Sequence, residues 1–134
     1  MHPRNRLFVT LGLIYGLLGG LLALVWLADP ALLPGDVARA HAHLMLLGLV
    51  LMNIYGIGLH VLPRFAGYAL RSERLAWVQF WLANAGLPLM VAGWLATLPS
   101  LVLAGGAASA AAMLAFGLNV MFTVRLRAPG EAPS

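Results

Sequence analysis

The chain has 134 residues, 62% of them apolar and only 9% charged, whereas a soluble domain carries about a quarter charged residues. Eight arginines against four acidic residues give a net charge of +4; they form no block and line no single helix face, which argues against a nucleic-acid partner and for membrane topology. Cysteine is absent, so disulfides, thiolate metal sites and cysteine nucleophiles are excluded, and no P-loop, H-E-x-x-H motif or paired carboxylate cluster occurs.

Four apolar runs, each near the roughly 20 residues that cross a bilayer, use up the chain. The expected fold is all-α, a single four-transmembrane-helix bundle over residues 1–134, with lipid as its main surroundings. The first span is expected at 7–27, behind the basic start Met1-His2-Pro3-Arg4-Asn5-Arg6. Its apolar region is longer than that of a signal peptide and lacks a clear small-residue cleavage site, so it reads as an uncleaved span. Pro30, Pro34 and Gly35 mark the following segment as a loop. The second span is expected at 37–62, stopped by Pro63. A polar stretch with Arg64, Arg71, Glu73 and Arg74 leads to a third span at 75–98, kinked at Pro88. After the Pro99-Ser100 turn the fourth span covers 101–124, and the tail 125–134, with Pro129, Gly130 and Pro133, is expected to fray.

Arginines near the span ends set the orientation. Arg4, Arg6, Arg64, Arg71, Arg74, Arg125 and Arg127 fall on one side and only Arg39 on the other, which places both termini in the cytoplasm. Trp26 and Trp94 then lie near the outer ends, Trp77 and Trp81 near the inner ends, as interfacial anchors do. All basic residues are arginine and the chain is biased to Ala, Leu and Gly, which points to a high-GC bacterium and hence to the bacterial inner membrane. Gly12, Gly16 and Gly20 on the first span, and Gly105, Ser109 and Gly117 on the fourth, are candidate faces for close helix contact.

Three of the four histidines, His41, His43 and His60, lie on the second span, with Asn53 between them. Ionisable residues within a membrane are costly and mark function. His41 and His60 are separated by roughly 28 Å of helix at 1.5 Å per residue, too far to share a metal within one chain. His41 and His43, two residues apart, point to opposite sides of a helix, and chelation by both would require an extended segment. At 100° per residue His41 shares a stripe with Met45, Gly48, Met52, Tyr55 and Gly56, while His43 lies among Leu47, Val50 and Ile54. A histidine above glycines suits a flat macrocycle, because imidazole ligates iron and glycine leaves room for the porphyrin edge. Met52 and Tyr55 on this stripe are also what ordinary packing provides.

The segment His41-Ala-His-Leu-Met-Leu-Leu-Gly48, continued through Tyr55-Gly-Ile-Gly-Leu-His60-Val-Leu-Pro-Arg64-Phe, resembles the second helix of haem-copper oxidase subunit I, above all its short single-unit homologues. Trp77-Val-Gln-Phe-Trp-Leu-Ala-Asn84-Ala-Gly86 on the third span is similar to the same group. The resemblance covers about the second and third helices. It implies haem b as cofactor, ligated at the position of His41 with His43 as rival, and a role in electron transfer or in sensing or carrying haem or a diatomic gas, as a respiratory-chain component. The copper-ligating histidines of a complete oxidase subunit lie on later helices that this chain lacks, so the resemblance does not extend to oxygen reduction by the chain alone.

Two other readings stand beside it: a copper- or haem-handling assembly factor that uses His41, His43, His60 and methionines as transient ligands, and a structural accessory subunit. No second histidine faces His41 within the chain. A bis-histidine haem therefore implies a homo-oligomer, a symmetric dimer first and a trimer second. The rival within the chain is Met90, about 12 Å below the outer end against about 6 Å for His41 at 1.5 Å per residue.

Overall fold

The computed structural model describes residues 1–125; Arg127, Glu131 and the tail expected to fray lie outside the described residues. Four helices make up the fold: α1 (Pro3–Ala28), α2 (Val37–Ala66), α3 (Glu73–Leu95) and α4 (Pro99–Arg125). The shortest has 23 residues, about 35 Å at 1.5 Å per residue, against a hydrocarbon core of about 30 Å. The chain is thus an all-α, multi-pass membrane bundle. Its N-terminus and the end of α4 share one face, where the Arg71 amide donates to Thr123 Oγ1 at 3.0 Å.

The helix limits differ from those expected in ways that side chains explain. α1 starts at Pro3, because the His2 imidazole accepts from the Arg4 amide at 3.3 Å and proline in the first turn loses no hydrogen bond. α2 starts as expected, with Asp36 Oδ1 accepting from the Arg39 amide at 3.0 Å, but runs through Pro63 rather than stopping there. The stop is Gly67, at φ 75°, whose amide donates to the Arg64 carbonyl while that of Tyr68 donates to the Pro63 carbonyl. Ser72 caps α3 through the Leu75 amide at 3.1 Å. α3 ends at Leu95, before Thr97 at φ 56°, and α4 starts on Pro99.

Inside α2, Leu44–Leu51 is a π-helical stretch, a feature with no clear signal in the sequence. The wider turn shifts the register between His41 above it and Met52 below it.

α1 packs on α2 through Gly12, Gly16 and Gly19. A Cβ on Gly12 would lie 3.3 Å from the Gly48 carbonyl oxygen, and one on Gly19 would lie 3.1 Å from Leu44 Cβ. Gly20 has open space, so the expected Gly12-Gly16-Gly20 face is corrected to one ending at Gly19. At 3.6 residues per turn, i+7 stays on a face from which i+8 drifts away. The same correction applies to α4. Gly105 and Ser109 abut Gly86 of α3, Gly117 faces open space, and Ala112 takes the third buried position.

The half of the bundle at the arginine-rich helix ends, the inner half by the expected orientation, is closed by an apolar core in which Phe8 of α1 meets Phe80 of α3 at 5.0 Å between ring centroids and Tyr55 of α2 meets Phe116 of α4 at 5.0 Å. Below it, Arg4 is almost fully buried. It donates to the Glu73 carboxylate and to Asn5 Oδ1 and lies 5.9 Å from the Trp77 ring centroid. In the outer half α1 and α3 separate, leaving a lipid-facing groove of about 480 Å³ lined by Tyr15, Leu18, Leu22, Leu44, Pro88, Val91, Ala92 and Leu95.

Candidate functional site

The outer third of α2 carries two histidines in different surroundings. His41 Nδ1 lies 2.8 Å from the carbonyl oxygen of Gly19 on α1. A carbonyl can only accept, so Nδ1 carries a proton, and in the neutral ring the lone pair is then on Nε2. This is the tautomer of an imidazole that ligates metal through Nε2 with its other nitrogen fixed by a carbonyl. The absence of a side chain at Gly19 is what lets α2 approach α1 closely here. His41 is half-buried, and Leu44, one turn further along α2, lines the outer groove.

His43 also has Nδ1 2.8 Å from a carbonyl, that of Arg39 one turn earlier on its own helix. Its ring lies 5.9 Å from that of Trp94 on α3. The two imidazoles therefore face different helices, as their spacing predicts, and α2 is helical from Val37 onwards, so the segment is not the extended one that a joint chelate would need.

The stripe below His41 faces the bundle interior: Gly48, Met52, Tyr55 and Gly56 are buried and Met45 is half-buried. The space in front of Gly48 is taken by protein, since a Cβ there would lie 2.5 Å from Tyr15 Cβ and 3.1 Å from Leu87 Cδ2. Met52 packs beneath Gly12 and belongs with Tyr55 to the apolar core. The Tyr55 hydroxyl is buried, without a hydrogen-bond partner among the described residues, beside a cavity of about 10 Å³ that Ser109 also lines, a volume on the order of a single water. Met90 is buried on the α3–α4 side, where its sulfur accepts from the Ser109 hydroxyl at 3.8 Å. His60 is half-buried near the inner end of α2. Asn53 is committed to its own helix, its Nδ2 donating to the Leu49 carbonyl at 2.6 Å.

Among the described residues no three His, Asp or Glu side chains gather to hold a bare metal ion. The chemistry available is that of single, separately oriented imidazoles. Several polar residues that sequence reasoning passed over prove important for position. The Tyr15 hydroxyl donates to Asn84 Oδ1 at 3.1 Å, tying α1 to α3 where the outer groove begins. Gln79 is fully buried, and among the described residues neither of its amide atoms has a hydrogen-bond partner. A lone Asn or Gln in an apolar run was the available signal for both. No family model, curated protein or solved structure matches the chain.

Proposed function

We propose that the chain is a haem-binding membrane protein of the bacterial inner membrane, in which His41 Nε2 would hold the haem iron, with electron transfer as its role. One observation carries this reading: the His41 Nδ1 proton is held by the Gly19 carbonyl of a neighbouring helix at 2.8 Å, leaving Nε2 as a preoriented donor. Haem brings its own nitrogen donors and asks the protein for only one or two ligands, which matches a chain whose histidines stand singly. A bare copper ion needs a gathered donor set, and Met52 and Met90 are engaged in packing. The apolar groove between α1 and α3, lined by Leu44 one turn along α2 from His41, offers a wall for a porphyrin face. Bound haem supplies a one-electron iron couple; the residues of the chain hold and orient it and exclude water.

A second residue to hold the haem would come, in this reading, from a second copy of the chain. His43 faces Trp94, Met90 faces Ser109 and His60 lies near the other end of α2. A two-fold dimer presents His41 twice. The similarity of the second helix to haem-copper oxidase subunit I favours haem b and a respiratory-chain setting.

The test is the absorption spectrum of the purified protein with His41→Ala, His43→Ala and His60→Ala. His41→Ala removes the haem bands or changes their coordination signature, and the other two leave them in place. Loss of haem in His43→Ala alone contradicts the assignment. Copper in the purified protein without haem favours the metal-handling reading instead.

A further inference from the structure

At the end of the bundle opposite the buried Arg4, a second groove of about 420 Å³ lies where the start of α2, the last turn of α3 and the first turns of α4 meet. Gly93, Trp94, Val102 and Leu103 form its apolar wall, and Asp36 and Arg39 its charged rim. Leu103 is 75% exposed on a membrane-spanning helix, so the groove opens to lipid.

The free charged hydrogen-bonding capacity in this groove lies mainly on the donor side. Both Asp36 oxygens are engaged: Oδ1 accepts from the Arg39 amide at 3.0 Å and Oδ2 pairs with Arg39 Nε at 3.2 Å. The Arg39 guanidinium lies over the Trp94 ring at 5.0 Å from its centroid, and its terminal N–H groups have no protein acceptor among the described residues. The Trp94 indole N–H is also unpartnered among the described residues, but it is buried and out of reach of a headgroup. The start of α4 and the end of α3 meet here, so their opposite dipole ends offset each other. What remains is the free end of the Arg39 guanidinium beside an apolar wall at a membrane interface.

We propose that this groove seats the phosphate of an anionic phospholipid from the outer leaflet, with an acyl chain along Val102 and Leu103. A phosphodiester is acceptor-only and negatively charged, the complement of free guanidinium N–H groups. Asp36 already bears a hydrogen bond and an ion pair from Arg39, so it holds the ammonium of a zwitterionic lipid more weakly than an unpaired carboxylate would. Phosphatidylglycerol is therefore preferred over phosphatidylcholine. This site shares no residue with the His41 groove and stands independently of the haem reading.

The test uses the full chain in nanodiscs of phosphatidylcholine with a minor fraction of phosphatidylglycerol, followed by native mass spectrometry of the retained lipid. The inner-end arginines contribute a background common to every variant. Arg39→Gln lowers phosphatidylglycerol retention by about tenfold, as loss of a charge-assisted hydrogen bond predicts. Leu103→Trp, which fills the groove with Arg39 intact, lowers it as well. Asp36→Asn keeps the α2 cap but frees Arg39 Nε and raises retention, a change that a purely structural role for Arg39 does not produce. If Arg39→Gln fails to fold, the other two variants decide. Equal retention in wild type and in the variants that fold, or equal retention of phosphatidylcholine, overturns the proposal. Displacement of phosphatidylglycerol by an equal concentration of oleate also overturns it, in favour of a carboxylate site.

Discussion

Replacing Gly48 by alanine separates packing from cofactor space at the centre of α2. The added Cβ would lie 2.5 Å from Tyr15 Cβ and 3.1 Å from Leu87 Cδ2, where carbon atoms prefer about 3.5–4.0 Å. Tyr15 Cβ is fixed to its backbone, so relief requires α1 to retreat by about 1 Å. That movement loosens the Tyr15–Asn84 hydrogen bond and the crossing at Gly12. Overpacking of this kind costs about 1–3 kcal/mol, set against a helix-propensity gain of about 1 kcal/mol for Gly to Ala. The expected net loss is about 0–2 kcal/mol from these two figures. Gly20→Ala is the control: its Cβ meets nothing within 4 Å, so it keeps the propensity gain of up to about 1 kcal/mol. Denaturation of the haem-free protein in mixed micelles, followed by far-ultraviolet circular dichroism, should rank Gly20→Ala above wild type and wild type above Gly48→Ala. If Gly48→Ala is as stable as Gly20→Ala, the close α1–α2 crossing is wrong.

Three further predictions follow from the ends of the helices. Glu73→Gln leaves the buried Arg4 without its counter-charge; because Glu73 is 54% exposed, the loss measured in the same denaturation assay is about 1–2 kcal/mol, not the 3–5 kcal/mol of a fully buried pair. Thr97→Gly relieves a β-branched residue at φ 56° and raises stability by roughly 1 kcal/mol; no gain would show that the turn is not strained. A reporter fused after residue 134 should be active in a cytoplasmic assay and silent in a periplasmic one, as the positive-inside rule predicts for the arginine-rich ends of the helices; the reverse result inverts the site.

The helices were legible because hydropathy and arginine placement act on whole segments and need no tertiary information. Their ends were not, because they depend on single side chains. The His2 imidazole begins α1 before the apolar run starts, and Gly67, not Pro63, ends α2. The glycine faces were found but misphased by one residue, Gly19 replacing Gly20, because a four-residue repeat in sequence drifts around a 3.6-residue helix. The divergence of His41 and His43 was readable from spacing alone. The partners of these imidazoles were not, since the Gly19 carbonyl lies 22 residues away in the chain and has no side chain to signal it. Likewise Arg4 entered the sequence argument as a topology marker, and only the fold shows it buried against Glu73, 69 residues on.

The central claim, haem held through His41, is tested most directly by a pyridine haemochrome assay on protein purified from haem-replete cells, with mass measured in detergent. The account predicts a haemochrome of the b type at one haem per two chains in a dimer, abolished in His41→Ala protein that still folds. A protein without haemochrome, or a haem-loaded monomer whose spectrum survives His41→Ala, would contradict it.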